Sequence, residues 1–388
     1  MVRRGRLKTD WPARFGRVSA SVQRSEGSRR VMLHAVSVGE VNAIRGLVPR
    51  LHASGVDVVI AVTTETGFRR ARTLFGDRHA VVRYPLDLSW CVSRFLNAIK
   101  PDRVGLVELE VWPNFTRACA RRGIPVQIIN GRLTERSSRR YRRVLWLVRP
   151  MFLRITRIGA QDEAHAARFR SLGIPSDRIA VDGTMKWDNA QLRTGVDGSE
   201  QLRESMGIDP DRPLVVAGST APGEHELLHT SVPEGCQLLC APRRPEWFDG
   251  AAEVLAGCAR RSTGTQGSGT DRFLLDTIGE LSQAYALADV VVVGRSFGTL
   301  HGSDMIEPIG LGAVTIVGPA VSDFESIVDA LRAGDGLVQT DRSSLADELG
   351  RLLNDPEECR RIARNGQSVI VAMQGATDRA VAALLEDL

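Results

Sequence analysis

The chain has 388 residues, of which 43% are hydrophobic and 25% are charged, and its formal net charge is +5. This composition excludes an intrinsically disordered chain, a collagen-like fibre and a polytopic membrane protein, and the length predicts two globular domains. Residues 1–150 carry a net charge of +18, whereas residues 151–388 carry a net charge of −13. We therefore expect the first half to meet an anionic partner.

Short runs of β-branched residues alternate with helical patterns along the chain. In the first half these runs predict strands over residues 31–36, 56–62, 81–85, 102–109, 125–130, 155–160 and 178–183. In the second half they predict strands over residues 213–219, 236–242, 271–276, 289–294, 313–318 and 336–340. Strands that alternate with helices form parallel sheets covered on both faces, so the sequence predicts an α/β fold with two doubly wound, Rossmann-like sheets.

A polar, turn-rich segment at residues 187–212 separates the two series of strands. We place an N-terminal domain at residues 1–195 and a C-terminal domain at residues 205–388, and we expect the helical pattern at the end of the chain to pack back on the first domain. Two doubly wound domains imply a cleft between them, and open α/β sheets bind ligands at the carboxyl ends of their strands. The functional residues are therefore expected at strand ends.

The chain shows no targeting or membrane-spanning pattern. The first ten residues are basic but lack the apolar core of a signal peptide, and no run reaches the roughly eighteen apolar residues of a membrane span. We expect a cytoplasmic protein without a transmembrane anchor, whose contact with an anionic membrane surface is peripheral. Nucleic acid is a poorer partner, because only 5% of residues are aromatic and the basic run at 136–143 contains a single Tyr.

A polar turn follows the first predicted strand. Ser37 and Gly39 form this turn, and Glu40 opens the next helix. A carboxylate at a helix N-terminus, at the mouth of a cleft, can take a proton from a substrate hydroxyl. The alternative is an acidic residue that only stabilises the start of a helix.

A pair of carboxylates ends the fourth predicted strand. Glu108 and Glu110 are two residues apart and lie on one face if the strand continues. Burial of such a pair is unfavourable unless it is partnered. The arginine-rich segment at 130–143, which includes Arg132 and Arg136, is a candidate partner, and the same guanidinium groups match the phosphates of an acceptor.

Turns in the second half carry residues suited to an anionic ligand. Ser219 and Thr220 follow its first strand, Arg243 follows the next, and a glycine-rich turn at 294–302 precedes a helix that carries Glu307. Backbone N–H groups in such turns bind phosphate, and a carboxylate can bind ribose hydroxyls. The chain has neither a GxGxxG diphosphate motif nor a Walker pattern, so these turns predict a nucleotide site of another kind.

These segments together resemble the 3-deoxy-D-manno-octulosonic acid (Kdo) transferases of lipopolysaccharide synthesis. The segments that carry the resemblance, in order, are HAVSVGEV, VELEVWPN, INGRLTERSSRRY, IGAQDEAHAARFRSLG, VDGTMKWD, AGSTAPGEHE, APRRPEWF, DTIGELSQAYALADVVVVGRSF and MIEPIGLGAVTIVGP. The resemblance implies a GT-B glycosyltransferase with an acceptor-binding N-terminal domain, a C-terminal domain that holds CMP-Kdo, and a last helix that crosses back. It also implies an inverting, metal-independent transfer to a lipid A precursor at the cytoplasmic face of the inner membrane, with no cofactor besides the donor substrate.

The resemblance further implies roles for individual residues. Glu40 matches the family's candidate general base, and Glu110, with Glu108 beside it, matches the acidic pair near the acceptor. The residues expected to bind the acceptor are Ser37, Gly39, Glu108, Glu110, Arg132 and Arg136. The residues expected to bind the donor nucleotide are Lys186, which matches an interdomain lysine, and Ser219, Thr220, Pro242, Arg243, Gly279, Glu280, Ser296, Asp304 and Glu307.

The chain departs from the family pattern at several of these positions. Arg295 stands in a segment that usually reads Gly-Gly-Ser, and Asp304 replaces an amide. These departures leave two alternatives open: a divergent GT-B transferase with another nucleotide-sugar donor, or a non-catalytic homologue that binds a nucleotide or lipid. A metal-dependent GT-A enzyme fits less well, because the only Asp-x-Asp motif, at 209–211, precedes a strand and is typical of a turn.

Overall fold

The computed structural model describes residues 10–22, 24, 27–193, 195–264 and 269–388. The basic residues that precede Asp10 lie outside this part of the chain. The described residues form two compact units, for which we predicted limits of 1–195 and 205–388. Unit 1 runs up to Asn189 and also includes Gln374–Leu388, and unit 2 is Ala190–Met373.

Unit 1 is built on a seven-stranded sheet whose strands are all parallel. Its strands are β1 (Arg30–Ala35), β2 (Asp57–Val62), β3 (Ala80–Arg83), β4 (Arg103–Val107), β5 (Val126–Gly131), β6 (Arg157–Ala160) and β7 (Ile179–Val181). Their spatial order is β3-β2-β1-β4-β5-β6-β7, so the chain winds outward from β1 in one direction and then from β4 in the other. This is the doubly wound arrangement that the sequence predicts.

One helix, α1 (Trp11–Arg14), precedes the strands of unit 1. The helices that connect these strands are α2 (Val38–Ala43), α3 (Leu47–Ala53), α4 (Glu65–Phe75), α5 (Ser89–Ile99), α6 (Pro113–Arg121), α7 (Glu135–Arg143), α8 (Leu145–Phe152) and α9 (Glu163–Arg170). Alternate residues of β1 belong to two different cores, because Val31 and Leu33 face one side of the sheet and Met32 faces the other. Both faces are therefore covered, which explains why the strands are almost continuously apolar.

Unit 2 repeats this arrangement with a second parallel sheet. Its strands are β8 (Leu214–Thr220), β9 (Gln237–Pro242), β10 (Ala259–Arg260), β11 (Arg272–Leu274), β12 (Val290–Val293), β13 (Val314–Val317) and β14 (Val338–Gln339), in the order β10-β11-β9-β8-β12-β13-β14. Its helices are α10 (Ser199–Met206), α11 (His225–Ser231), α12 (Phe248–Val254), α13 (Leu281–Tyr285), α14 (Ile306–Gly310), α15 (Glu325–Ala333), α16 (Leu345–Leu353) and α17 (Pro356–Met373). The prediction of two doubly wound parallel sheets is confirmed.

The last helix, α18 (Ala376–Leu385), packs on unit 1. The Asp188 carboxylate accepts the N–H groups of Gly375 and Thr377 at 2.6 Å each, which caps the start of this helix. Near its end, the side chains of Arg103 and Gln127 both donate to the carbonyl of Ala383 at 2.8 Å. Two strands of the first sheet thus hold the helix that closes the chain.

One described segment, Pro356–Leu385, is long and apolar enough to cross a membrane by length and composition alone. It is not a clear transmembrane anchor. Gly375, with a φ of 109°, separates α17 from α18 within it, and the apolar face of α18 is buried in unit 1 through Ala376, Ala380 and Leu384.

Candidate active site

Glu40 is held at the start of α2 by reciprocal hydrogen bonds. Ser37 caps this helix: its hydroxyl accepts the N–H of Glu40 at 3.4 Å and donates to Oε1 of the same residue at 3.0 Å. The N–H of Val36 donates to the other carboxylate oxygen at 2.7 Å. This is a variant of the capping box, so the structural role considered for Glu40 is present. Gly39 lies within the same turn, where an added Cβ would meet the Ser37 hydroxyl at an ordinary 3.8 Å.

The environment of Glu40 changes its acidity. Its side chain is buried, with 9% of the residue exposed, and its pKa is raised from 4.5 to about 7, chiefly by this burial. The charges of Glu108 and Glu110 contribute to this rise in pKa, whereas the hydrogen bonds from Val36 and Ser37 oppose it. A carboxylate with a pKa near neutrality suits a general base, because it is partly ionised and still basic enough to accept a proton.

The histidine that precedes Glu40 does not compete for this role. His34 is fully buried, stacks on Tyr84 with ring centroids 3.6 Å apart, and shares a hydrogen bond of 3.0 Å with Thr63. Burial, and to a lesser degree the charge of Arg14, lower the pKa of His34 to about 3. The imidazole is therefore neutral and very weakly basic at neutral pH.

The acidic pair follows β4, but not in the geometry predicted. The strand ends at Val107 rather than continuing to residue 109, because Glu108 takes a left-handed φ of 63° and turns the chain. Its N–H donates to the carbonyl of Ile129 at 3.0 Å. Glu110 accepts a hydrogen bond of 3.0 Å from the indole N–H of Trp112. Burial and, to a lesser degree, the charge of Glu108 raise the pKa of Glu110, whereas the hydrogen bond from Trp112 lowers it.

The two predicted arginines lie in different surroundings. Arg132 follows β5 and is half-buried, and its N–H donates to the carbonyl of Glu108 at 3.4 Å, so it lies beside the acidic pair. Arg136 belongs to α7 and is exposed. It lines a cavity of about 490 Å³ whose other lining residues are Glu135, Arg139, Arg140 and Arg143. Unit 1 therefore presents carboxylates at strand ends and a separate, strongly cationic cavity.

Lys186 lies in unit 1, whereas the other residues predicted to bind the donor lie in unit 2. It follows β7, is half-buried, and its carbonyl accepts the N–H of Asn189 at 3.3 Å. The neighbouring Asp188, which caps α18, was not singled out from the sequence. No local pattern reveals that role, because its partners lie almost two hundred residues along the chain.

Predicted donor residues meet at the ends of β8 and β9. Ser219 has a left-handed φ of 57°, and Thr220 is fully buried and shares a hydrogen bond of 3.0 Å with His225. Pro242 is the buried last residue of β9. Arg243 is exposed and its N–H donates to the carbonyl of Thr220 at 2.9 Å, which ties the two strand ends together.

A buried tyrosine in α13 links several of these residues. The Tyr285 hydroxyl is hydrogen-bonded to the side chain of Ser219, and its pKa is raised chiefly by burial. The charges of Glu307 and Asp304 raise this pKa further, and the charge of Arg243 lowers it. Four of the residues predicted to bind the donor nucleotide thus lie close enough to affect the pKa of the Tyr285 hydroxyl. Sequence reasoning missed Tyr285.

Glycine at residue 218 makes room for this ring. A Cβ added to Gly218 would lie 2.0 Å from the Tyr285 oxygen, so only glycine fits below it. The sequence signal that could have found Tyr285 is the pairing of a glycine at the end of one strand with an aromatic residue in the helix before β12. That pairing cannot be recognised without knowing that the two elements touch.

The remaining donor residues shape the loops. Glu280 forms an ion pair of 2.7 Å with Arg261, which lowers the pKa of Glu280, and Gly279 before it has a φ of 107°. Ser296 is fully buried; its hydroxyl donates to the carbonyl of Val293 at 2.6 Å and accepts the N–H of Gly318 at 2.8 Å. The hydroxyl of Ser296 is therefore engaged within the protein.

Asp304 and Glu307 lie at the start of α14. Asp304 is exposed and its carboxylate accepts the N–H of Ile306 at 2.9 Å. Glu307 is exposed and accepts a hydrogen bond from the hydroxyl of Ser282. Among the residues that the structure describes, no group of three or more His, Cys, Asp or Glu side chains is arranged to hold a metal ion.

Comparison with known proteins relates both units to sugar transferases. A family model described as 3-deoxy-D-manno-octulosonic-acid transferase (kdotransferase) matches residues 9–189. The 3-deoxy-D-manno-octulosonic acid transferase of Haemophilus influenzae is 32% identical over 90% of this chain and 85% of its own length. The enzyme of the same name from Bordetella pertussis is 32% identical over 96% of this chain and 90% of its own length.

Solved structures agree on the fold. A glycosyltransferase from Rickettsia africae superposes with a TM-score of 0.66 at 12% identity, covering 93% of this chain and 100% of that one. Anabaena HepE in complex with UDP-glucose superposes with a TM-score of 0.64 at 13% identity, covering 92% of this chain and 100% of that one. At these identities the likeness concerns the fold alone, and it confirms the predicted GT-B class.

Proposed function

The chain belongs to the 3-deoxy-D-manno-octulosonic acid (Kdo) transferase family and is a glycosyltransferase, and from this premise we propose that it transfers Kdo from CMP-Kdo to a lipid A precursor. Unit 1 binds the acceptor and unit 2 the donor. The transfer inverts the anomeric centre and needs no metal ion. The observation that carries the proposal is Glu40, a carboxylate in the first turn of the helix that follows β1, whose pKa is raised to about 7, chiefly by burial.

Glu40 acts as the general base in this proposal. An acceptor hydroxyl attacks the anomeric carbon of Kdo, and its proton passes to the Glu40 carboxylate as the new C–O bond forms. The bond between that carbon and the phosphate oxygen breaks at the same time, and CMP leaves with the electron pair. A single displacement of this kind inverts the anomeric centre. Glu108 and Glu110, whose charges raise the pKa of Glu40, strengthen it as a base.

Cationic and backbone groups of unit 2 stabilise the departing CMP. Arg243 is exposed beside the strand ends that carry Ser219 and Thr220, and a guanidinium there can pair with phosphate oxygens. Fixed positive charge and N–H dipoles can perform the task that a divalent cation performs in other transferases. This supports a metal-independent reaction with no cofactor besides the donor substrate.

The protein works, in this proposal, at the cytoplasmic face of the inner membrane as a peripheral protein. Support comes from the exposed arginines of α7 and from the helix that follows it, in which Trp146 and Leu147 are 80% and 61% exposed. A second apolar surface is formed by Trp11, Phe15 and Trp90, whose rings stack at 5.9 and 5.6 Å. Arginines beside exposed aromatic side chains fit an anionic lipid surface.

A transferase with another nucleotide-sugar donor remains the second candidate. The exposed carboxylate of Asp304, close enough to raise the pKa of Tyr285, adds negative charge among the donor residues. Thermal-shift measurements with CMP, UDP and GDP separate the two candidates, because the cognate nucleotide stabilises the folded protein most. The first proposal requires the largest shift with CMP.

The direct test uses the purified chain with CMP-Kdo generated in situ and a tetraacylated lipid A precursor. We expect a Kdo–lipid product by mass spectrometry, with and without EDTA. Glu40→Gln should lose the product, and Glu163→Gln, an exposed acid at the start of α9, is the matched control that should retain it. Absence of product from the wild-type chain beside an active reference enzyme would contradict the proposal.

A further inference from the structure

Two neighbouring loops of unit 2 carry strained backbone. Ser219 at the end of β8 and Arg295 after β12 have left-handed φ values of 57° and 60°, which are unfavourable for residues other than glycine. The two strands are paired, and an added Cβ at Gly294 would lie 2.5 Å from the Cα of Thr220, so the loops are in close contact. Such strain persists only where surrounding contacts hold the backbone in place.

Glu224 supplies contacts to both loops. Its side chain is buried, with 3% of the residue exposed, and one carboxylate oxygen accepts the N–H groups of Ala221 at 2.9 Å and Arg295 at 2.8 Å. The other oxygen accepts the N–H of Phe297 at 3.0 Å. One of these donors belongs to the loop after β8 and two belong to the loop after β12, including the strained Arg295 itself. A buried carboxylate that accepts three N–H groups is well compensated for its burial.

Arg342 joins the same two loops through their carbonyl groups. Its guanidinium donates to the carbonyl of Phe297 at 3.0 Å and to that of Gly223 at 2.9 Å. The anionic Glu224 therefore accepts hydrogen bonds from backbone N–H groups of these loops, and the cationic Arg342 donates hydrogen bonds to their carbonyl groups. We call Glu224 and Arg342 the loop clamp. They come from segments more than a hundred residues apart, and neither was singled out from the sequence.

We propose that the loop clamp is a pair of positioning residues that fixes the donor-binding loops before the nucleotide arrives. The proposal rests on the donor site proposed above, because Ser219 lies at the end of β8, just before one clamped loop, and Arg295 lies in the other. The Glu224 carboxylate is occupied by N–H groups, so the clamp acts through the backbone and not by touching the donor. Loops fixed in the bound conformation avoid an ordering cost when ligand binds, so loosening them weakens binding.

The variant Glu224→Gln tests the loop clamp most directly, because it changes the carboxylate to an amide. An amide has a single acceptor oxygen, so Glu224→Gln keeps the shape but loses an acceptor and turns an NH₂ group toward an N–H donor. Loss of one such charge-assisted bond corresponds to about tenfold in affinity. We expect Glu224→Gln to raise the Kd for CMP about tenfold. Arg342→Ala, at a more exposed position, should raise it about threefold.

Asp289→Asn is the matched control. The Asp289 carboxylate also accepts a backbone N–H, that of Leu214 at 2.8 Å, but at the opposite end of β8. Whatever change it makes to the melting temperature, it should leave the Kd for CMP unchanged. Calorimetric titration of the full-length variants with CMP, at a temperature where each is folded, separates positioning from general stability. A Kd for Glu224→Gln within twofold of that of the wild type would overturn the proposal.

Hydrogen exchange keeps the inference testable without a ligand. If the wild-type chain does not bind CMP, the proposed donor is wrong, but the loop clamp can still be tested. The clamp requires that Glu224→Gln accelerate amide exchange at Arg295 and Phe297 at least tenfold relative to Asp289→Asn. Unchanged protection at these amides would refute the clamp. A wild type that binds CMP, with variants that lose both protection and affinity, is the expected result.

Discussion

Replacement of the proposed base should make the protein inactive and, at alkaline pH, more stable. Glu40 has a pKa of about 7 in the folded protein against an ordinary value of 4.5, a difference that corresponds to about 3 kcal/mol between its two protonation states. Because the folded pKa is raised, the folded state binds more protons than the unfolded state between these values. The contribution of Glu40 to stability is therefore fully present below pH 4.5 and is lost as pH rises through 7.

Glu40→Gln removes this pH dependence. Glutamine is neutral at every pH and can keep both hydrogen bonds, since its carbonyl can accept from Val36 and its NH₂ group can donate to the Ser37 hydroxyl, which rotates. The free energy of unfolding of the variant relative to the wild type should rise by up to about 3 kcal/mol between pH 4.5 and pH 8. Over the same range, turnover by the wild type should increase through about pH 7 and that of the variant should be lower by about 10²–10⁴-fold.

Urea unfolding of both proteins at pH 5 and pH 8, with Glu163→Gln alongside, measures the stability effect. Initial rates across the same pH range measure the effect on turnover. A relative free energy of unfolding that is the same at both pH values would refute the reasoning, because it would mean that the Glu40 carboxylate is not desolvated. A variant that retains turnover would remove Glu40 from the mechanism.

Three further predictions concern packing, the last helix and lipid. Gly218→Ala should cost about 1–3 kcal/mol of stability in thermal melts, because its Cβ would clash with Tyr285, whereas Gly250→Ala, in the open interior of α12, should be neutral or stabilising by up to about 1 kcal/mol. Asp188→Ala should expose the segment from Gly375 onward to limited proteolysis and cost about 1–2 kcal/mol, and an unchanged digestion pattern would contradict the capping role. Trp146→Ser should weaken binding to vesicles that contain phosphatidylglycerol about tenfold in sedimentation assays, without changing the melting temperature. If the wild-type protein binds vesicles of phosphatidylcholine alone equally well, that would argue against an electrostatic surface.

The fold class was accessible from the sequence because buried parallel strands leave a local pattern. The run predicted over 31–36 corresponds to β1 at Arg30–Ala35, and the run over 289–294 contains β12 at Val290–Val293. Structural features that leave no such pattern in the sequence were not predicted. The strand β10 lies in a segment, residues 256–261, that has no β-branched residue, and β4 ends early because Glu108 turns into the left-handed region.

The chain by itself determined which chemistry is available: carboxylates and arginines at strand ends, and the ordered segments of a sugar transferase. Only the tertiary structure decided how those groups behave, because burial and neighbouring charge raise the pKa of Glu40 and no local sequence encodes either. The same holds for Tyr285, Glu224 and Asp188, whose partners are set by contacts between distant segments. Residue type is a local property, whereas desolvation and hydrogen-bond partnership exist only once the sheets bring remote residues together.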